Sequence, residues 1–339
     1  MNDFKDRLKE IVYHTDNDEK TIYESLVIIL DGDATQAQIG AFATATAMQT
    51  IDADQIAGAA RALRDRAKMI KAPAGAADCC GTGGDHTGTL NISTAVAFVA
   101  AACGVAMAKH GNRASSSKSG AGDVLEALGM NIEAGHDMLE RALNTVGFCF
   151  LMAPRHHPAL ANVAAIRKEL GFRTMFNLLG PLTNPANARF QLIGVYDDAL
   201  RWPVAEALAK LGTERAWVVH GGDGMDEITT TDETYVTCLE NGTLSKFTLS
   251  PESDFGFERA TLADLQGGTA EDNAHKIENL IAGQHSAYRD IVLANAAAVL
   301  VVAGQADDLK EGVNKARQAI DNNYVSGLIN DYREMVGTP

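Results

Sequence analysis

The sequence has no apolar stretch long enough to cross a bilayer. Its longest run of small apolar residues, Ala95 to Ala108, is interrupted by Gly104 and falls well short of the roughly 20 residues a spanning helix needs. No membrane association is expected. The N-terminal segment MNDFKDRLKEIVYHTDND mixes acids with bases and has no continuous apolar core, so no secretory signal is read there and a cytoplasmic location is expected. Cysteine is scarce: Cys79, Cys80, Cys103, Cys149 and Cys238 make an odd five. With no Cys-x-x-Cys pair among them, reduced thiols fit better than a disulfide framework, and the neighbours Cys79 and Cys80 read as strand packing. Positive charge is also in deficit. The 29 basic against 44 acidic residues leave a formal net charge of −15, which argues against a nucleic-acid binder. There is no internal repeat or low-complexity tract. What remains is ordinary globular composition, 46% hydrophobic and 22% charged over 339 residues, enough for a sizeable core in about two domains.

From Asp3 to about Met69 the apolar residues recur at helical spacing: Phe4, Leu8, Ile11; Ile22, Leu26, Ile29; Ile39, Phe42, Ala45. This predicts a small all-helical domain over 1–70. The first proline, in Lys71-Ala-Pro-Ala-Gly75, marks a boundary. Beyond it, short apolar runs alternate with helical segments, which predicts a larger α/β domain over 71–339. Strands are expected at Ala76–Cys80, Val105–Ala108, Phe148–Met152, Gln191–Tyr196 and Ala216–Val219, with helices at Ser93–Cys103 and Val204–Leu211. Tyr235–Leu239 and Leu244–Leu249 flank Glu240-Asn241-Gly242, a hairpin signal because Asn-Gly accepts positive φ at low cost. Leu293–Ala303 reads as a buried helix.

Four segments carry candidate chemistry. Gly81-Thr-Gly-Gly-Asp85 follows a strand and precedes Asn91-Ile-Ser-Thr94 at a helix start. Glycines let amides approach an anion, Ser93 or Thr94 can cap the helix, and the helix N-terminus suits phosphate. The loop is neither a Walker A motif nor a dinucleotide fingerprint, and a tight turn before a capped helix also describes it. Lys109-His-Gly-Asn-Arg-Ala-Ser-Ser-Ser-Lys-Ser-Gly120 packs three cations and four serines after a strand, where a phosphorylated ligand or merely a solvated loop would fit. Asp226-Glu227 follows a strand through His220-Gly-Gly-Asp-Gly224 and sets two carboxylates on a loop at a sheet edge, suited to Mg²⁺ or simply an acidic turn. In the fourth segment, adjacent His156 and His157 do not readily face one metal, so no zinc site is read there. Arg167 is able to grip a carboxylate through two parallel hydrogen bonds, or to lie on a helix surface.

Taken in order, GTGGD, NIST, KHGNR, SSKSG, HP, RKELGFRT, FNLLGPLTNP and HGGDGMDE resemble the motifs of the anthranilate phosphoribosyltransferase family across nearly the whole chain. The resemblance implies transfer of phosphoribose from phosphoribosyl pyrophosphate (PRPP) to the amino group of anthranilate, in the second step of tryptophan biosynthesis. It implies a helical domain, joined by helices from about 165–190, on an α/β domain with a central, mainly parallel sheet. Carried over residue by residue, PRPP would be held by Gly81, Gly83, Gly84, Asp85, Thr89, Asn91, Ile92, Ser93, Thr94, Lys109, His110, Gly111, Asn112, Arg113, Ala114, Ser115, Ser116, Ser117 and Ala121. Anthranilate would meet Gly81, His110, Asn112 and Arg167. Ser93, Asp226 and Glu227 would hold Mg²⁺, about two ions per subunit, and Lys109, Arg167, Asp226 and Glu227 would carry catalysis. Family members are usually homodimers through the helical domain, a role open to the faces around Ile22–Ile29 and Ala41–Met48. Two positions depart from the pattern: His86 replaces a usual glycine, and Ala121 a usual serine that touches PRPP. A pyrimidine nucleoside phosphorylase shares this architecture but fits KHGNR and Asp226-Glu227 poorly. Nucleic-acid-binding relatives would need a basic surface and eroded motifs.

Overall fold

The computed structural model describes residues 3–14, 17–114 and 118–339. Four helices open the chain: α1 (Asp3–Tyr13), α2 (Glu19–Leu30), α3 (Gln36–Ala47) and α4 (Ala53–Arg64). Three of them start where a side chain satisfies an otherwise orphaned amide. Asp18 accepts from Thr21 N–H, Asp52 from Gln55 N–H, and Thr35 forms a reciprocal box with Gln38. Phe4, Ile11, Ile22, Leu26, Ile29, Ile39 and Phe42 are buried inside this bundle. The Ile22–Ile29 face is therefore spent on internal packing, whereas Met48 at the end of the Ala41–Met48 stretch is 83% exposed.

The α/β part follows as β1 (Ala77–Gly81), α5 (Ile92–Ala102), β2 (Met107–Gly111), α6 (Ala121–Ala127), α7 (His136–Thr145) and β3 (Phe148–Met152). The chain then returns to the bundle through α8 (Ala153–His156), α9 (Ala161–Leu170) and α10 (Leu179–Leu182). Here α9 packs on α2 and α3, and α10 on α4. The remainder is β4 (Phe190–Gly194), α11 (Arg201–Lys210), β5 (Arg215–Gly221), β6 (Thr234–Glu240), β7 (Thr243–Leu249), α12 (Ala270–Ile281), α13 (Ala287–Val302), α14 (Leu309–Asp321) and α15 (Tyr324–Val336).

One seven-stranded sheet runs in the order β3-β2-β1-β4-β5-β6-β7. Its first five strands are parallel, and β6 and β7 are antiparallel. The β6–β7 hairpin turns on Asn241 and Gly242, at φ +49° and +80°, the double positive φ of a type I′ turn. The strand Phe148–Met152 has the bounds read from the sequence, and the other strand boundaries move by up to three residues. The consequential shift is β2, which runs to Gly111, so Lys109 and His110 belong to a buried strand rather than to the loop after it. Two apolar cores cover the faces of the sheet. One gathers α5, α13, α14 and α15; the other gathers the bundle and α11.

Candidate active site

The chain leaves β1 toward β2 but leaves β4 toward β5, so the winding reverses between β1 and β4. In an open α/β sheet the crevice at the carboxyl ends of such strands receives ligands. Gly81, ending β1, pairs with Gly194, ending β4. The loop after β5 lies directly on both. A Cβ on Gly194 would stand 1.5 Å from the Asp226 carbonyl oxygen, and one on Gly81 would stand 2.1 Å from Asp226 Oδ2. The edge that carries Asp226 and Glu227 is thus formed by strand ends in the middle of the sheet, since β5 itself lies between β4 and β6.

The glycine loop arches over this point. Thr82 N–H donates to Gly194 O at 2.9 Å, and Gly83 N–H donates to Asp226 Oδ2 at 2.7 Å. Asp85 accepts the Thr87 hydroxyl at 2.5 Å. Gly83 and Gly84 take positive φ, and so does His86 at +60°. The usual glycine of the family at position 86 therefore has a conformational reason, and His86 adopts the strained region instead. Arg173 donates to Gly84 O and lies 4.1 Å over the Tyr196 ring. From the far side, Leu90 N–H donates to Leu265 O, Gly267 N–H to Gly88 O, and Gln266 Nε2 to Thr87 O at 2.8 Å.

Helix α5 does not use the expected cap. Its N-cap is Asn91, which makes no side-chain capping bond. The Asn91 amide is engaged elsewhere, accepting from Asn273 Nδ2 at 2.7 Å, while Tyr288 OH donates to Asn91 O at 3.1 Å. Neither Ser93 nor Thr94 caps the helix, and Thr94 is buried. The amides of the first turn and the positive end of the helix dipole thus face the carboxylates, and the Ser93 amide favours the charged form of Glu227.

Lys109 is 2% exposed. Its ammonium donates to Cys79 O at 2.8 Å and to Ser93 Oγ at 3.3 Å. Burial opposes its charge, but the acidic neighbours around it, Cys79, Asp78 and Glu227 among them, hold it above the ordinary lysine value. The next residue, His110, places Nδ1 3.0 Å from Gly180 O, while its buried Nε2 has no partner. Burial, and then His157, push its imidazole down to about 3. The His157 ring lies 5.2 Å away, with neither nitrogen bonded. Both rings are neutral near pH 7.

Beyond β2 the expected phosphate loop is in part committed to itself. Arg113 grips Glu126 through two bonds of 2.8 and 3.0 Å and reaches Asp123 at 3.3 Å. Asp123 also accepts the amides of Ala114 and Gly120. Asn112 is exposed beside this turn. Ala121, at the start of α6, packs against Gly111: a Cβ on that glycine would stand 3.2 Å from the Ala121 methyl. Ser115, Ser116 and Ser117 lie outside the described residues. Arg167 sits in the last turn of α9, ahead of the Gly171 cap and of Arg173. Burial lowers its basicity, and its guanidinium makes no hydrogen bond or ion pair among the described residues.

Asp226 is 8% exposed. Burial, and then the charge of Asp85, push its carboxyl up to about 7. Burial, and then Asp226, push Glu227 well above the usual carboxylate range. Among the described residues no three His, Cys, Asp or Glu side chains converge as a metal cage. Two adjacent buried carboxylates, of which Asp226 raises Glu227, with the Ser93 hydroxyl nearby, nevertheless suit a hard cation that keeps open positions for water and ligand oxygens.

Sequence reasoning missed several residues that hold this arrangement. Asp78, buried in β1, accepts from Asn184 Nδ2 at 2.7 Å and from His110 N–H at 3.2 Å. Arg173, Gln266, Asn273 and Asn295 were also unmarked.

A family model described as "Glycosyl transferase family, helical bundle domain" matches residues 5–67, and one described as "Glycosyl transferase family, a/b domain" matches residues 74–324. The anthranilate phosphoribosyltransferase of Rhodospirillum rubrum is 52% identical over 311 residues, 92% of this chain and 89% of the relative. This chain belongs to the anthranilate phosphoribosyltransferase family. The crystal structure of the Thermus thermophilus member superposes with a TM-score of 0.93 at 38% identity, covering 98% of this chain and 99% of that one. The Saccharomyces cerevisiae member in complex with PRPP and Mg superposes with a TM-score of 0.89 at 27% identity, covering 98% and 97%. The same yeast protein in complex with 4-fluoroanthranilate gives 0.88 at 26%, with the same coverage. The family's helical bundle and mixed sheet are thus the architecture described above.

Proposed function

We propose that this chain transfers the phosphoribosyl group of PRPP to the amino group of anthranilate, giving N-(5-phosphoribosyl)anthranilate and pyrophosphate, the second step from chorismate to tryptophan. The observation that carries this reading is the β1–β4 crevice. There a glycine loop, an uncapped helix start and a buried carboxylate pair meet in a chain of this family.

In this reading Gly81, Gly83, Gly84, Asp85, Thr89 and Asn91–Thr94 receive PRPP, together with the stretch from Lys109 to Ser117 and Ala121. Ser93, Asp226 and Glu227 hold Mg²⁺, about two ions per subunit, which when bound neutralises charge on the departing pyrophosphate. The positive end of the α5 dipole faces the same charge, and the buried Lys109 ammonium adds to the positive field. Anthranilate rests against Gly81, His110, Asn112 and Arg167. A half-buried guanidinium with no partner among the described residues suits its carboxylate through paired bonds. The aromatic amine is already neutral, so orientation takes the place of a strong base. No covalent enzyme intermediate forms; a trapped ribosyl-protein adduct would contradict this.

We divide the chain into a helical domain over 1–70, joined by helices from about 165–190, and a PRPP-binding domain over 71–339. We place a homodimer contact on the helical domain, where Tyr13 and Met48 are 79% and 83% exposed. Five unpaired cysteines fit a reducing cytoplasm, and no helix among the described residues is long and apolar enough to cross a membrane.

The test mixes the protein with anthranilate, PRPP and Mg²⁺ and follows anthranilate fluorescence. A Mg²⁺-dependent decay is expected. Folded protein that leaves the fluorescence unchanged would refute the assignment.

A further inference from the structure

The loop that carries Asp226 and Glu227 alternates in direction. Met225 and Ile228 are fully buried in the core beneath the sheet edge, which leaves the two carboxylates between them on the crevice side. Ahead of the pair, the loop braces itself. Asp223 accepts the Thr229 hydroxyl at 2.6 Å, the Thr231 hydroxyl, and the Met225 N–H at 3.1 Å. Behind the pair, the brace comes from a distant helix.

Asn295, in the middle of α13, is fully buried. Its Oδ1 accepts the Ile228 N–H at 3.0 Å, and its Nδ2 donates to Ile228 O at 2.7 Å and to Ile291 O at 2.9 Å. One carboxamide thus makes both backbone bonds of Ile228, as a neighbouring strand would, and ties them to its own helix. Its neighbours in α13, Leu293, Ala294, Ala296, Ala297 and Ala298, are apolar and buried. A carboxamide in such surroundings is costly unless every bond is made. Here the bonds are made, and two of the three go to the residue next to Glu227.

We propose that Asn295 is a positioning residue for the cation-holding carboxylates: by clamping Ile228 it fixes where Asp226 and Glu227 leave the core and preforms the divalent-cation site. This rests on the proposed function, in which that pair holds the cation. Apolar burial of Met225 and Ile228 resists exposure but tolerates sliding, because it has no direction. Two opposed hydrogen bonds to one residue do not.

The experiment uses Mn²⁺ as the probe, with PRPP present, and counts bound ion by electron paramagnetic resonance on the full chain. Asn295→Leu, similar in size but without either bond, is expected to weaken Mn²⁺ binding at least tenfold. It should also raise the Mg²⁺ needed for half-maximal turnover while leaving the KM for anthranilate unchanged. Asn295→Asp is expected to rescue binding to within about threefold, because a carboxyl held neutral by burial still donates and accepts. Folded Asn295→Leu protein that binds Mn²⁺ as tightly as the wild type would overturn the proposal. A second measurement needs no variant. In metal-free wild-type protein the Ile228 amide should resist hydrogen exchange as strongly as the amides of α13, and exchange at the rate of an open loop would overturn the clamp. If the wild type fails to consume anthranilate but Mn²⁺ binding still follows Asn295, the functional reading falls and the positioning role stands. If the wild type turns over but Mn²⁺ binding is indifferent to Asn295, the positioning role falls and the functional reading stands.

Discussion

Adding one methyl group at Gly81 should separate folding from function. The φ of this residue is not positive, so alanine fits the backbone and reduces the freedom of the unfolded chain, a gain of about 0.4–1 kcal/mol. The new carbon, however, would stand 2.1 Å from Asp226 Oδ2 and 2.6 Å from its Cγ, against a comfortable separation of about 3.5 Å. The carboxylate has to retreat by more than about 1 Å. Its backbone gives no slack, because the Asp226 carbonyl already presses on Gly194. The 2.7 Å bond from Gly83 N–H is lost in that retreat. A hydrogen bond to a charged group contributes about 1.5–3 kcal/mol, so the Mg²⁺ requirement should rise roughly 10- to 150-fold. The assay is fluorescence loss of anthranilate across a Mg²⁺ series at saturating PRPP, paired with a thermal melt. The expected result is a melting temperature only a few degrees below wild type, since the lost bond outweighs the entropic gain by about 1–2 kcal/mol, with a strongly shifted Mg²⁺ curve. An unshifted Mg²⁺ curve with wild-type kcat would refute the contact between this strand end and the carboxylate as a functional constraint.

Arg167→Ala should raise the KM for anthranilate about 10- to 100-fold, from the loss of one or two charge-assisted bonds, and leave the KM for PRPP near wild type. Equal loss toward both substrates would remove Arg167 from the carboxylate role. His86→Gly relieves a left-handed residue at φ +60° and should stabilise the protein by about 1 kcal/mol; a fall in unfolding midpoint would contradict the strain. The pH dependence of metal-free stability should split by residue. For Asp226, raised from 3.8 to about 7, the folded state keeps a proton that the unfolded chain releases. Its stabilising contribution is full below about pH 4 and is lost as pH rises through 7, so Asp226→Asn should remove that falling slope. For His157, lowered from 6.5 to about 4, the contribution is present above pH 6.5 and is lost as pH falls toward 4. His157→Asn should flatten the acid side in a urea series, and like-signed changes from the two variants would refute the assignments.

What the sequence revealed and what it hid divide by the range of the interactions. The β6–β7 hairpin was legible because Asn241 and Gly242 state their own conformation, and α1 to α3 because their apolar residues recur at helical spacing within each helix. The glycine loop and the Asp226–Glu227 pair were visible as local composition, yet their contact depends on Gly81, Gly83 and Gly194, with Gly83 143 residues away from Asp226. Ser93 and Thr94 looked like caps, but Asn91 takes the cap position with its side chain held by Asn273, 182 residues on. Lys109 looked like the start of a loop because the apolar run ends at Ala108, whereas β2 continues to Gly111 alongside β3. Nothing local announced that Arg113 would also pair with Glu126, 13 residues on.

The core that fills the bundle does not stop at its border. Ile56, Ala59 and Leu63 of α4 share it with Val204 and Leu208 of α11 and with Ile193, Val195, Ala216 and Val218 of the sheet. Pulling the bundle from the sheet would wet all of these at once, at about 1.5–3 kcal/mol for each large side chain. A wide, clam-like opening is therefore too costly for each catalytic cycle. Any movement that widens or narrows the crevice has to keep this shared core dry.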